Sequence, residues 1–505
     1  MKAKGNEFRG GLPEPPHQIG LAALKIPFDW KRVFFILLGL GFFFTLNGMG
    51  QLPDAVDPKG AHFVLTPQGK AALALFLLAS TWWIFEVIPI GVTSLAIGVF
   101  QALFLIRPAS VAFKDFMDPS VLFIFGSIVI GMVFTKVGLT KRLAYKMLTI
   151  VGEKTSMIYL GCLVVTAALT HIMAHTAVAA TMFPLLMAIY SLYGEGEKPT
   201  KFGKGLFIGM AFVAGAGSTI TLLGAARGAV AIGFYKDIVG SSISFFELSK
   251  YMFPIGWLMV LLIWGMMMVM FKPEKKTIPG LREKAGRLYK EMGPVSGKEI
   301  FVAAVVLGVI VVLSLQSFMP ALQVLNKSAI VLVSTLIFFI FKVLTIKELE
   351  EIPWNIILLF AGAMSIGFCL WETGAAKWLA INWLVMFKES NWFVFVLGIS
   401  FFVMVMTNFI MNVAAIAISL PVALVIAPYL GVAPEVILYA SLVTAGMPFL
   451  LLVGAAPNAI AYESKQFTPG EFFVAGIPAS IVLMAVVALA AAVIWPLMGM
   501  PITIK

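Results

Sequence analysis

His171 and His175 stand four residues apart, a spacing that puts two imidazoles on one helical face and suits a metal pair. A zinc protease built on that pair needs a Glu beside the first histidine as general base. That position holds Ile172 and no third ligand is apparent, so the chain is not expected to be an enzyme. Arg227 is the stronger signal. It falls inside a long apolar stretch, where a charge is expensive and normally functional. Its planar fork of donors suits a carboxylate, a sulfonate or sulfate. Competing roles are an ion pair with a carboxylate such as Glu86, or a side chain that snorkels to an interface. His175 has two readings of its own: contact with substrate or a proton, and a structural hydrogen bond, since a buried imidazole near pH 7 can take either charge. Glu86, just before Pro89, reads as the cap or brace of a helix end.

Arg227 belongs to a pattern written twice. Leu223-Gly224-Ala225-Ala226-Arg227-Gly228-Ala229-Val230-Ala231 returns 230 positions later as Val453-Gly454-Ala455-Ala456-Pro457-Asn458-Ala459-Ile460-Ala461. His175-Thr176-Ala177 through Pro184 is matched by Asn412-Val413-Ala414 through Pro421, and Gly126, Gly131 and Gly138 by Gly362, Gly367 and Gly374. Two halves with matching helix breaks are the mark of a secondary transporter built from an internal repeat, with its binding site where the broken helices meet.

Composition sets the class. The 505 residues are 60% hydrophobic and 12% charged, with a mean hydropathy of +0.99, which no soluble globular chain has. Runs long enough to span a bilayer lie near 32–50, 70–86, 88–106, 120–140, 253–271, 299–316, 325–343, 354–372 and 471–497. Four longer apolar blocks, 156–190, 206–235, 391–427 and 436–462, are each broken near the middle by small or polar residues. Backbone that leaves the helical ladder at bilayer depth survives only where protein or a wet cavity supplies partners. The first and third blocks therefore read as re-entrant hairpins, and the second and fourth as discontinuous spanning helices. The expected architecture is an all-α polytopic membrane protein of two inverted repeats, with about 11 transmembrane helices, two hairpins and two broken helices. Its parts are an N-terminal segment 1–31, a first half 32–271, a linker 272–298 and a second half 299–505.

Lys and Arg cluster in the N-terminal segment and in loops 141–154, 198–204 and 272–290. By the positive-inside rule these face the cytoplasm, so the chain is expected in the cell (inner) membrane, multi-pass, with a cytoplasmic N-terminus. The net charge of +11 is topogenic in this reading and no nucleic-acid partner is expected. No cleavable signal peptide is apparent. Cys162 and Cys369 are too few for a disulfide framework. Trp82 and Trp83 fit an interfacial belt.

Trp82-Trp83-x-x-Glu86-x-x-Pro89, Lys136-x-Gly138 before Lys141-Arg142, Ile352-Pro353-Trp354 leading into Leu359-Phe360-x-Gly362, and Pro457-Asn458 after Gly454 resemble the divalent anion/sodium symporter family (DASS, solute carrier 13). The resemblance runs in order from about 70 to 497. It implies a homodimer in the lipid bilayer, each protomer carrying a small anion with sodium by elevator-like movement of a transport domain against a scaffold. It also implies Ser-Asn-Thr at each hairpin tip and a Thr-Pro-Pro-type run at each break. This chain departs from both, with Ala174-His175-Thr176, Met411-Asn412-Val413, Gly224 to Gly228 and Gly454 to Asn458 in those places.

Carried over residue by residue, the resemblance places a second-half sodium site on Thr407, Ile410, Asn412 and Gly454. The first-half site would rest on Thr170, Ala174, His175 and Gly224, where Ala174 and His175 have replaced oxygen ligands. Substrate would meet His175, Thr176, Ala225, Arg227, Met411, Asn412, Val413, Ala455 and Ala456, and no organic cofactor is implied. Arg227, with or without a protonated His175, would supply positive charge that a first sodium ion supplies in relatives. The apolar Met411, Val413, Ala225 and Ala455 suggest a substrate with one strong anionic group and an apolar remainder, against a family expectation of dicarboxylate. Sodium symport is the first reading. Sodium-independent proton coupling or exchange through Arg227 and His175 is the alternative, with an anion channel or the metalloprotease more remote.

Overall fold

The computed structural model describes residues 29–56, 62–193, 198–387 and 391–504. Residues 1–28, most of the expected N-terminal segment, lie outside the described residues. Apart from a two-stranded antiparallel ribbon pairing Ala55–Val56 with His62–Phe63, the named elements are helices. Among the described residues, nine helices are long and apolar enough to cross a membrane and four more are apolar but shorter. This is a multi-pass membrane protein.

Helix starts are encoded locally. Thr66, Asp118, Thr200 and Asn391 accept hydrogen bonds from first-turn N–H groups. Ser244–Glu247, Ser296–Glu299 and Thr468–Glu471 form reciprocal capping boxes. Such caps matter here because orphan N–H groups near a bilayer have little water to turn to.

The interrupted blocks are interrupted in space. The first hairpin has arms Thr155–Leu169 and His175–Tyr193, the second Trp392–Phe409 and Asn412–Ile426. The first broken helix runs Lys201–Gly217, leaves the ladder, and resumes as Ala226–Val239. The second runs Pro434–Ala445 and resumes as Ala456–Tyr462. Ala225 and Ala455, equivalent in the repeat, both have extended backbone just before the second segment (φ −157° and −154°).

The two halves pack reciprocally. Helix Ile90–Leu103 of the first half lies on Trp354–Glu372 of the second, and Lys327–Ile340 of the second lies on Pro119–Lys136 of the first. One repeated pair of glycines, Gly126 and Gly362, sits at these crossings. A Cβ on Gly126 would come within 2.7 Å of the Val331 side chain, and one on Gly362 within 2.3 Å of Ser94 Cβ. Without a hydrophobic driving force between helices in lipid, small residues that allow close backbone approach set such contacts. The helix ends repeat the theme with charge reversed. Lys136 pairs with Glu348 and bonds the Val343 carbonyl at 2.7 Å, while Glu372 pairs with buried Arg107 at 2.8 Å. Arg107 is also held by Asp115 at 2.8 Å and Gln101 at 3.1 Å.

Three features depart from expectation. Trp82 and Trp83 are buried, at 8% and 5% exposure, and donate indole N–H bonds to the Ile36 and Ile90 carbonyls; they are packing residues and not an interfacial belt. Glu86 caps nothing. It occupies left-handed backbone (φ 43°), and the Gly91 N–H beyond it is met at 2.8 Å by Asn355 Oδ1. The segment 272–298 holds a helix, Leu281–Glu291, packed on the amphipathic helix Leu139–Val151. Arg142 of the latter grips Glu299 through two bonds of 2.7 and 3.1 Å.

Candidate functional site

Hairpin tips and helix breaks meet at one cavity of about 570 Å³. Its wall includes His175 and Thr176 from the first hairpin, Ala225 and Arg227 from the first break, Met411, Asn412 and Val413 from the second hairpin, and Ala455 and Ala456 from the second break. Ala174 and Gly454 face it as well. Residues separated by up to 282 positions in the chain thus share a single wall. The helices beginning at Ala226 and Asn412 have no side-chain cap, so their first-turn N–H groups and the positive ends of their dipoles serve the same space.

From the tips the cavity continues between Pro119–Lys136 and Trp354–Glu372, past Ser127, Gly131 and Thr135, to Lys136 and Glu351, both exposed. These wall residues were not expected from sequence; the only signal was the repeated glycine spacing of the two helices. A second cavity, of about 850 Å³, lies toward the opposite end of the same helix, at Pro119, Ser120 and Phe123, and includes Lys236, Lys250 and Lys327. Leu222, 3% exposed, lines both cavities.

Arg227 is 2% exposed. Its Nη2 donates to Ser218 Oγ at 3.0 Å, and its Nη1 has no hydrogen-bond partner. The ion pairs among the described residues do not include it, and Glu86 is not its partner. The guanidinium rests on Gly446, where a Cβ would stand 2.3 Å from Nη2. Ser218 and Gly446 cap the C-terminal ends of Lys201–Gly217 and Pro434–Ala445, so the charge sits where two helix dipoles present their negative ends. Neither residue was expected at the site, because neither belongs to the repeated motif.

The two sets of expected sodium ligands differ. In the second half, Thr407 Oγ1 lies 3.0 Å from Asn412 Oδ1 and 2.8 Å from the Ala445 carbonyl. A hydroxyl has one proton for those two acceptors, which leaves oxygen facing oxygen, an arrangement a hard cation relieves. Gly454 packs on the same turn, its absent Cβ leaving 2.9 Å to the Thr407 carbonyl. Ile410 precedes the second hairpin arm with extended backbone. These donors fit sodium, and the Ala445 carbonyl is a member that sequence did not supply.

In the first half Thr170 Oγ1 is turned into its own helix, donating to Ala167 at 2.6 Å. The Gly224 carbonyl accepts the His175 N–H at 3.1 Å, Ala174 has no side-chain oxygen, and His175 Nδ1 has no hydrogen-bond partner. This set does not fit sodium. The histidines make no metal pair either: they straddle the hairpin turn, His171 stacks edge-on against Trp257 at 5.6 Å, and no group of three or more metal-ligating side chains occurs among the described residues.

A family profile described as "Sodium:sulfate symporter transmembrane region" matches residues 58–501. The chain is similar to the sodium-dependent dicarboxylate transporter SdcS of Staphylococcus saprophyticus subsp. saprophyticus, 24% identical over 462 residues, covering 87% of this chain and 89% of that protein. SdcS of Staphylococcus aureus (strain MRSA252) is 26% identical over 502 residues, covering 92% of each. Among solved structures, Neisseria gonorrhoeae MtrF, described within a class of antimetabolite efflux pumps, superposes with a TM-score of 0.56 at 14% identity, over 91% of this chain and 93% of that one. The Alcanivorax borkumensis YdaH transporter gives 0.54 at 12% identity, over 93% and 98%. At such identities these two structures speak to the fold alone.

Proposed function

The chain belongs to the sodium:sulfate symporter family of transport proteins, and from that premise we propose that it carries a small anion together with sodium across the cytoplasmic membrane. The substrate class is a di- or tricarboxylate or a sulfonate- or sulfate-like anion; relatives over most of the chain are named for sodium-dependent dicarboxylate transport. The observation that carries the reading is the shared cavity, whose wall holds both a buried guanidinium without an ion-pair partner and Asn412, the residue behind which Thr407 and the Ala445 carbonyl complete an oxygen cluster. An anion entering between Arg227 and the N-termini at Ala226 and Asn412 meets positive charge on several sides. A sodium ion among the second-half oxygens adds to that charge, and the anion in turn strengthens sodium binding, which is the coupling.

The two halves are read as inverted repeats, an assignment supported by reciprocal helix packing and by the matched glycines. The basic loops support a cytoplasmic N-terminus. Hairpins and broken helices form a transport domain that moves as a unit against the remaining helices, in each protomer of a homodimer. The mostly apolar wall, with Ile124, Ile128, Met132 and Phe360, favours an anion with an apolar body. The first-half ligand set favours a second reading, sodium-independent exchange. Uptake of radiolabelled succinate and sulfate into proteoliposomes, with sodium or potassium as the only cation, separates the two. Accumulation that requires sodium supports symport; equal counterflow in potassium supports exchange.

A further inference from the structure

We propose that Arg227 is a tethered cation, seated in a cradle formed by Ser218 and Gly446, and that it takes the place of one mobile sodium ion so that a single sodium accompanies each anion. The inference rests on the transport reading above and assigns roles to Gly446 and Ser218 that the repeat does not reveal.

The repeat creates two equivalent places for a cation, each beside the turn where a hairpin tip meets a helix break. Thr170 and Gly224 mark the first, and Thr407 and Gly454 the second. Each glycine closes on the carbonyl of its threonine, with distances of 2.2 and 2.9 Å from an added Cβ. At the second place the Thr407 hydroxyl, Asn412 Oδ1 and the Ala445 carbonyl converge on one another, three oxygens sharing a single proton. At the first the oxygens do not converge in this way, since Thr170 bonds its own helix and the Gly224 carbonyl holds the His175 N–H.

Ser218 lies in that first cluster, with its Cα 3.0 Å and its carbonyl 2.9 Å from the Cβ position of Gly224, and Ser218 is the residue that holds Arg227. The guanidinium then reaches across to Gly446, the neighbour of Ala445 in the second cluster. Positive charge is thus built into the junction of both half-helix ends, the position that in broken-helix transporters serves coupling ions. Nη1, without a partner in a 2% exposed residue, is left for the anion.

The test uses full-length protein in proteoliposomes, with succinate as the probe anion. Equilibrium binding of radioactive sodium to wild type is expected to saturate at one ion per protomer, and sodium activation of uptake to be hyperbolic. Two ions per protomer, or clearly cooperative activation, would overturn the proposal. Arg227→Ala is expected to lower uptake roughly tenfold or more, the loss of a charge-assisted contact, with millimolar guanidinium restoring part of it. A structural arginine would show no such rescue. Gly446→Ala, which displaces the guanidinium and leaves the arginine in the chain, should lose uptake while keeping its one sodium. Gly446→Ala with unchanged uptake contradicts the cradle. Wild type that binds no sodium overturns the single-sodium stoichiometry along with the second-half site of the transport reading, and guanidinium rescue then shows whether Arg227 still acts as a tethered cation.

Discussion

At the residue scale the site consists of one fixed charge and one cluster of oxygens. Thr407 carries the second, because its hydroxyl lies within 3.0 Å of both Asn412 Oδ1 and the Ala445 carbonyl. Thr407→Val keeps the shape of a fully buried side chain and removes one ligand. We expect the sodium concentration for half-maximal uptake to rise roughly tenfold or more, since losing one contact to a charged group costs ~1.5–3 kcal/mol, with the melting temperature somewhat lowered without sodium by the buried acceptor left without its donor and its rise on adding sodium reduced. Sodium titration of uptake and of thermal stability checks both parts. Arg227 was legible in the sequence because a charged side chain in an apolar block stands out, whereas Thr407 and Asn412 were singled out as sodium ligands only by the family resemblance. Gly446, Ser218 and the Ala445 carbonyl were not legible, because a glycine, a helix-capping serine and a backbone oxygen acquire their roles only through contacts made across the fold. Glu86 misled for the same reason: Asn355, 264 positions from Gly91, does the capping that a local reading gave to Glu86.

At the element scale, close helix crossings and the anchoring of the linker set the frame. Gly362→Ala would put a methyl group 2.3 Å from Ser94 Cβ. Overpacking of this kind costs ~1–3 kcal/mol, so a lower melting temperature is expected, with recovery in the double variant Gly362→Ala, Ser94→Gly; an unchanged single variant would count against the crossing. The linker is tied to the first broken helix by Glu274, which accepts the Lys201 and Phe202 N–H groups at 2.6 and 3.2 Å and the Tyr193 hydroxyl at 3.0 Å. Partial burial pushes this carboxyl up, but the N–H donors outweigh it and hold it below the usual range. A depressed value means stability that is present above the ordinary carboxylate pKa and lost as pH falls through the lowered one. The stability gap between wild type and Glu274→Gln should therefore be open at pH 7 and close below about pH 4, as read by thermal melts across pH. Spans and the helix interruptions within the four long blocks were legible from apolar length and the repeat. The helix Leu139–Val151 was not, since it is too short to span and two-faced, and neither was Leu281–Glu291, whose charge reads as linker until Arg142 and Glu299 fasten its surroundings.

At the scale of the whole molecule, two cavities approach each other from opposite ends of Pro119–Lys136 and are divided by Leu222. Such an arrangement suits alternating exposure of one site. In this structure Met411, at the second hairpin tip, shares a small crevice with Ile90 and Leu359, which belong to the helices proposed as the scaffold. Cross-linking Ile90→Cys to Met411→Cys should hold the molecule in one facing state and stop uptake reversibly. The native Cys162 and Cys369 are buried and leave the introduced pair as the reactive one. Uptake that continues after complete cross-linking would argue against relative movement of these parts. The most direct test of the account is accumulation of radiolabelled succinate in proteoliposomes under an imposed inward sodium gradient, compared with potassium, for wild type, Thr407→Val and Arg227→Ala. Sodium-dependent accumulation in wild type that is weakened in both variants is the predicted result; accumulation indifferent to sodium and to both substitutions would contradict it.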